Sequence, residues 1–151
     1  MRRVKQAVFV LAVAVVVAQF IRPDRTNPPI DPTRALPAQM AALRAVVDRS
    51  CRDCHTNATV WPPAAQVAPL SWLMARGVSE GRKAVNFSEW AAYAADIQRT
   101  LLAASCDDAR SGKMPGPYTL VRPETQLSPQ DVETICAAAR QAEVGAVRVA
   151  P

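Results

Sequence analysis

Apolar residues run without a break from Ala7 to Ala18 and resume after Gln19 at Phe20 and Ile21, which predicts a first helix with no polar face. Pro23, Pro28, Pro29, Pro32 and Pro37 then interrupt the stretch 22–37. That density bars a continuous helix and predicts a stiff extended strap, either a spacer or a belt wrapped on the domain. Pro37 suits a first helical turn, and Met40, Leu43, Val46 and Val47 recur behind it at helical spacing as far as Ser50. Ser71 is placed to cap a short helix containing Trp72 and Leu73 and ended by Gly77. Ser88 is placed to cap a longer one, in which Trp90, Tyr93, Ile97 and Leu101 form an apolar stripe leading to Cys106. Gly112 to Pro117 reads as loop. Ser128-Pro129-Gln130-Asp131 carries a cap, a proline at the first helical position and an acidic residue two further on. It opens a last helix with Val132, Ile135, Cys136 and Ala139 on its inner face.

The pattern is all-α, and composition agrees. Only 5 glycines occur in 151 residues, Asn-Gly hairpin signals are absent and alanine recurs, which argues against a sandwich or barrel. This length suits one domain with a tether. Aromatics make up only 5% of a chain that is 50% hydrophobic, so something other than side chains is expected to fill the interior. The net charge is +5, but Arg2, Arg3 and Lys5 lie ahead of every acidic residue, and the remainder is close to balance. No basic face with interleaved aromatics exists, so no nucleic-acid partner is expected.

The basic head followed by an apolar run marks export, with 1–21 a signal anchor or a signal peptide. Ala7 to Ile21 as a helix would measure roughly 22 Å against a hydrocarbon core of ~30 Å, extended by Val4 and by snorkelling of Lys5 and Arg22. The positive-inside bias then places the rest on the periplasmic side of the inner membrane. The expected organisation is anchor 1–21, proline-rich strap 22–36 and helical domain 37–151.

Cys51-Arg52-Asp53-Cys54-His55 has the spacing of a c-type haem attachment site. Two thiols one helical turn apart can add to the two vinyl groups on one side of a porphyrin, and the adjoining histidine turns its imidazole onto the iron. His55 is the only histidine. A redox dithiol would use the same Cys-x-x-Cys, although no βαβ pattern surrounds it here. A zinc site would have to recruit Cys106 or Cys136. A buried porphyrin also supplies the apolar bulk that the aromatic content lacks. With no second histidine, the other axial position falls to a methionine. Met40 and Met74 sit in helical stripes that suit core packing, whereas Met114 lies in a Gly-Lys-Met-Pro loop. Thioether ligation by Met114 would raise the reduction potential relative to a second imidazole, and the alternative is an open or water-filled iron site.

The chain resembles the small membrane-anchored haem-binding-domain family of bacterial proteins, relatives of monohaem cytochromes c. The resemblance rests on Asp24 to Pro29, Cys51 to Asn57, Trp61-Pro62, Ser71-Trp72-Leu73, Glu80-Gly81-Arg82, Asn86 to Trp90 and Met114-Pro115. It implies a small cytochrome c-like helical domain around one covalently bound haem c, with His55 proximal and Met114 distal. Pro63-Ala64 depart from the bulkier aromatics expected after Trp61-Pro62 and leave the haem edge less shielded. Cys106 and Cys136 are expected to pair in an oxidising compartment, with two inert buried thiols as the alternative. Trp72 and Trp90 are candidates for packing on the haem, or simply core, and Arg52 and Arg82 for pairing with its propionates.

The function expected is one-electron transfer between periplasmic or membrane-bound redox proteins, by a carrier and not an enzyme. The alternatives are a haem protein with an open distal site, acting as gas or redox sensor or peroxidase, and a thiol-disulfide oxidoreductase.

Overall fold

The computed structural model describes residues 1–147. Helix α1 (Arg2–Ala18) has no buried residue. It stops short of Ile21: Pro23 disfavours helical backbone at Arg22, and the Gln19 side chain turns to the body of the protein. There Gln19 Oε1 accepts from Ala68 N–H (2.9 Å) and its Nε2 donates to the Ala68 carbonyl (3.3 Å). At 17 residues α1 measures about 26 Å. Among the described residues, no helix is long and apolar enough to cross a membrane.

The proline strap is a belt. Arg25 donates to the Ala65 carbonyl (2.8 Å), Asn27 Nδ2 to the Thr59 carbonyl (2.9 Å), and Asn57 Nδ2 to the Pro29 carbonyl (3.1 Å). Further on, Ala91 N–H donates to the Arg34 carbonyl, and Arg34 pairs with Glu89 at 2.9 Å. Leu36 at the end of the strap is itself core, 3% exposed. Proline removes backbone donors, so side-chain amides and guanidinium groups carry most of these attachments.

The helix expected from Pro37 to Ser50 is segmented. A 3-10 turn (Ala38–Met40) leads into α2 (Ala41–Val46), a wider π turn (Val47–Cys51) and α3 (Arg52–His55). The extra residue of a π turn rotates the helix beyond it relative to the preceding face, a device found often at functional sites. Helix α4 (Leu70–Ala84) corrects the expected short helix: Pro69 precedes it, Ser71 lies buried inside it, and Gly77 does not end it. Val78 and Gly81, beyond Gly77, still have a face to bury, so the helix continues until Val85 turns extended. Ser88 caps no long helix either. Asn86 caps a 3-10 turn (Phe87–Ala92), Tyr93 is extended, and α5 (Ala95–Arg110) starts afresh. The predicted stripe is therefore broken, leaving Ile97 46% exposed while Leu102 takes the core position.

Helix α6 (Pro129–Val147) begins as its sequence predicts. Ser128 N–H donates to Asp131 Oδ2 (2.7 Å), and Asp131 N–H donates back to Ser128 Oγ (3.2 Å). Ile135, Cys136 and Ala139 are buried, facing α5 and α2. One core gathers Leu43, Val46, Phe87, Trp90, Leu102 and Ile135. Cys106 of α5 and Cys136 of α6 are disulfide-bonded, with Cα atoms 4.8 Å apart. Closing 30 residues restricts the unfolded chain by an amount worth about 3–4 kcal/mol in the loop-entropy account.

Candidate functional site

His55 ends α3, and Val85 is the extended residue that ends α4. The two meet: His55 Nδ1 lies 3.1 Å from the Val85 carbonyl, which has no proton to give, so Nδ1 carries the hydrogen and donates. Nε2 is left as the lone-pair nitrogen. Burial pushes the imidazole pKa down against the opposing pull of that hydrogen bond, which keeps the ring neutral, the form that ligates metals. Phe87 approaches it edge-on with ring centres 6.5 Å apart.

Cys51 and Cys54 are free, half-buried thiols. Burial foremost, then each site's nearest negative neighbour, pushes their pKa values up to about 12 and about 11. Cys51, His55 and Met114 together line two cavities. One, about 40 Å³, also has Ser50, Asp53, Cys54 and Tyr118 in its wall. The other, about 200 Å³, is walled by apolar groups including Leu43, Val85, Phe87, Leu102 and Ile135. Four residues spread from 51 to 114 in the chain thus converge on one place.

The Cys-x-x-Cys-His segment is pressed against α4 at Gly81. A Cβ built there would lie 2.5 Å from the carbonyl oxygen of Cys54, a distance real side chains do not tolerate, so only glycine lets the two backbones approach so closely. Beyond His55 the chain is fixed by Asn57, one of the most deeply buried side chains. Its N–H donates to Ser88 Oγ (2.9 Å), its Oδ1 accepts from Asn86 (2.8 Å), and its Nδ2 reaches the strap.

Met114 sits in the loop after α5, 40% exposed. Its N–H donates to the Asp108 carbonyl (3.2 Å), while Lys113 Nζ reaches the Asp108 carboxylate (2.9 Å). Four residues later, Tyr118 Oη donates to Asp53 Oδ2 at 2.7 Å. Asp53, 6% exposed, also accepts from Val60 N–H (2.9 Å), with Arg122 4.0 Å away. Burial and the Asp53 carboxylate raise the Tyr118 phenol well above its ordinary pKa, so it remains a donor. The link joins the methionine loop to the middle of the cysteine motif.

Other expected contacts fall elsewhere. Trp90 is 3% exposed and stacks on Phe87 at 5.7 Å, one ring removed from His55 and outside both cavities. Trp72 is further off: its Nε1 donates to the Ile21 carbonyl (2.8 Å), tying α4 to the root of α1. Both tryptophans therefore serve packing and tethering instead of lining the cavities. Arg82 is spent on the Thr56 carbonyl (2.9 Å), Asn27 Oδ1 and Thr59 Oγ1 (both 2.8 Å), binding strap to motif. Arg52 Nε stands 3.7 Å from Asp53 without a hydrogen bond. With Cys106 and Cys136 joined, zinc loses its expected extra ligands. Among the described residues no group of three His, Cys, Asp or Glu is arranged to hold a metal ion.

Asp53, Asn57 and Gly81 belong to the stretches that carry the family resemblance but had no role assigned from sequence, and Val85 and Tyr118 were not singled out at all. Asp53 stood in view inside the motif, and a charged residue flanked by two cysteines was the available signal. Val85 acts through its backbone carbonyl, for which no side-chain pattern exists.

The donor set fits a haem held through this motif: two thiols, one neutral imidazole with a pinned tautomer, and one thioether around an apolar cavity. Ser50 Oγ and Arg52 Nε add two buried polar atoms beside the motif that have no hydrogen-bond partner among the described residues. The chain has no significant match among curated proteins or among solved structures. A family model described as a haem-binding domain matches residues 13–141, from within α1 to within α6. By this match, which takes in most of the chain and every residue of the convergent site, the protein belongs to the haem-binding-domain family.

Proposed function

We propose that this protein is a monohaem c-type cytochrome that carries single electrons on the periplasmic side of the inner membrane. The observation that carries the proposal is the convergence of Cys51, His55 and Met114 on shared cavity walls, with His55 Nδ1 fixed by a backbone carbonyl. Haem supplies the reversible Fe(II)/Fe(III) couple. Cys51 and Cys54 would hold it through thioether bonds. His55 would offer Nε2 to the iron as one ligand. Met114 would offer its sulfur as another, a choice that would raise the potential relative to a second imidazole. The mostly apolar wall of Leu43, Val85, Phe87, Leu102 and Ile135 would keep water from the iron and so lower the reorganisation that accompanies each electron. Redox proteins in the periplasm or at the membrane serve as donor and acceptor.

One observation favours a second reading. Met114 is 40% exposed on a surface loop, and a loop that swings away would leave the iron open for sensing or peroxidase chemistry. The thiol-exchange reading needs the opposite of what surrounds these cysteines, because a reactive Cys-x-x-Cys depends on a lowered thiol pKa. Here burial raises both.

The test is expression of the full chain with the haem-attachment machinery, followed by mass spectrometry, a pyridine haemochrome and an optical spectrum. One covalent haem, a methionine–iron band in the far red of the ferric protein and no carbon monoxide shift in the ferrous protein are expected. Rapid carbon monoxide binding would move the assignment to the open-site reading. A colourless chain of bare polypeptide mass would end both.

A further inference from the structure

The root of α1 and the start of α4 form one surface. Gln19 clasps both backbone polar groups of Ala68, and Trp72 Nε1 donates to the Ile21 carbonyl at 2.8 Å. Arg22 and Arg25 add bonds to the Gln66 and Ala65 carbonyls. With the helix root fixed in this way, its apolar surface continues onto the haem domain. Phe20 and Ile21 are 82% and 61% exposed, and Val67, Leu70 and Leu73 beside them 54%, 44% and 64%. A patch of this kind contiguous with an apolar helix calls for an apolar partner. Arg76, one turn beyond Leu73 on α4, and Arg22, just past the root of α1, are both exposed.

From these contacts we infer that the haem domain itself lies in the bilayer interface, with Val67, Leu70 and Leu73 dipping among the lipids at the root of α1. The inference rests on the reading that α1 is membrane-inserted, and deepens it. Two lengths support a lipid surface over a second copy of the chain. Helix α1 spans about 26 Å, against a hydrocarbon core of ~30 Å. With Arg2, Arg3 and Lys5 held at the far headgroups, only residues 6–18, roughly 20 Å of helix, enter the core, and its root ends below the near edge. The clasp at Ala68 and Trp72 leaves no slack between root and domain, so the domain is drawn down until the patch meets the acyl boundary. The rim chemistry agrees. Trp72 is a half-buried indole of the kind that favours membrane interfaces, and Arg22 and Arg76 can reach lipid phosphates while their stems stay in the apolar layer. The strap consequently does not hold the haem domain off the membrane; it fixes it against the membrane in one orientation.

The test uses the haem-loaded full chain in vesicles of phosphatidylethanolamine and phosphatidylglycerol, with single nitroxide labels at Leu73→Cys, at Val10→Cys in α1 and at Gln141→Cys on α6. Haem attachment and the disulfide occupy the native cysteines, so each label reports one site. The inference expects the ratio of oxygen to water-soluble nickel-chelate collisions at Leu73→Cys to exceed that at Gln141→Cys several-fold and to approach that at Val10→Cys. A lipid-like ratio at Val10→Cys with a water-like one at Leu73→Cys overturns the inference and leaves the anchor standing. Water-like ratios at both overturn the anchor as well. Spin–spin broadening between Leu73→Cys labels that disappears on dilution with unlabelled chain, together with a water-like ratio, assigns the patch to a second copy and also overturns it.

Discussion

His55 and Met114 reach the same cavities by unlike routes. The imidazole is fixed by the Val85 carbonyl, its segment is pressed onto Gly81, and the chain beyond it is secured by the buried Asn57. Met114 rides an exposed loop held by one backbone bond to Asp108, a lysine on the same aspartate, and Tyr118 four residues on. The histidine side is preorganised by burial; the methionine side is tethered at its ends. A ligand on a tethered loop can yield without disturbing the fold, whereas one built into the core cannot.

The sharpest way to break this comparison is to remove each ligand in turn. His55→Ala is expected to lose most of its haem and to fold less stably, because the half-buried imidazole packs edge-on against the core residue Phe87 as well as being the proposed iron ligand. Met114→Ala is expected to keep its covalent haem and its helical content, lose the far-red band, bind carbon monoxide and fall in potential. Haem content by pyridine haemochrome and far-ultraviolet dichroism report both. Equal loss of haem in the two variants would contradict the asymmetry drawn here.

Gly81→Ala probes the histidine side without touching a proposed ligand. The new methyl meets the Cys54 carbonyl at 2.5 Å, and because the obstacle is backbone, α4 and α3 must part. The expected cost is about 1–3 kcal/mol, the usual range for an overpacked interior, read as a lower denaturant midpoint with the slope unchanged. Parting α4 from α3 also lengthens the His55–Val85 contact, so the Soret band should shift while the methionine band persists.

How much of this was legible beforehand obeys the same division. Local signals were accurate where the chain answers to its neighbours: the Ser128–Asp131 cap opened α6 where its sequence placed it. They misled where tertiary contacts decide. Gly77 resembles a helix stop, yet α4 continues because Val78 and Gly81 still have α3 and the core to pack against. The stripe from Trp90 to Leu101 has helical spacing but breaks at Tyr93, whose hydroxyl accepts the Asn86 N–H at 3.0 Å. Whether the prolines formed spacer or belt depended on partners such as Thr59 and Ala65, thirty to forty residues distant. Trp72 and Trp90 could not be assigned from spacing, since a packing tryptophan and a cofactor-facing one obey the same periodicity.

Tyr118→Phe tests the one strong link between the two sides, and its effect is the smallest. The phenol gives Asp53 a charge-assisted hydrogen bond, but Val60 N–H still serves that carboxylate, and Arg122 stands near it. Removing the hydroxyl is therefore expected to destabilise by about 1–2 kcal/mol, below the full penalty of a stranded buried charge. The pH dependence identifies the cause. Burial and Asp53 hold the phenol pKa above the ordinary 10, so the folded protein keeps a proton that the unfolded chain releases above that pH. The contribution is thus present below about pH 10 and fades as pH rises towards the folded value. Unfolding midpoints of the two proteins should differ at neutral pH and converge in strong alkali. A gap that stays constant would mean that Tyr118 acts by packing, and that the methionine loop is held by its Asp108 end alone.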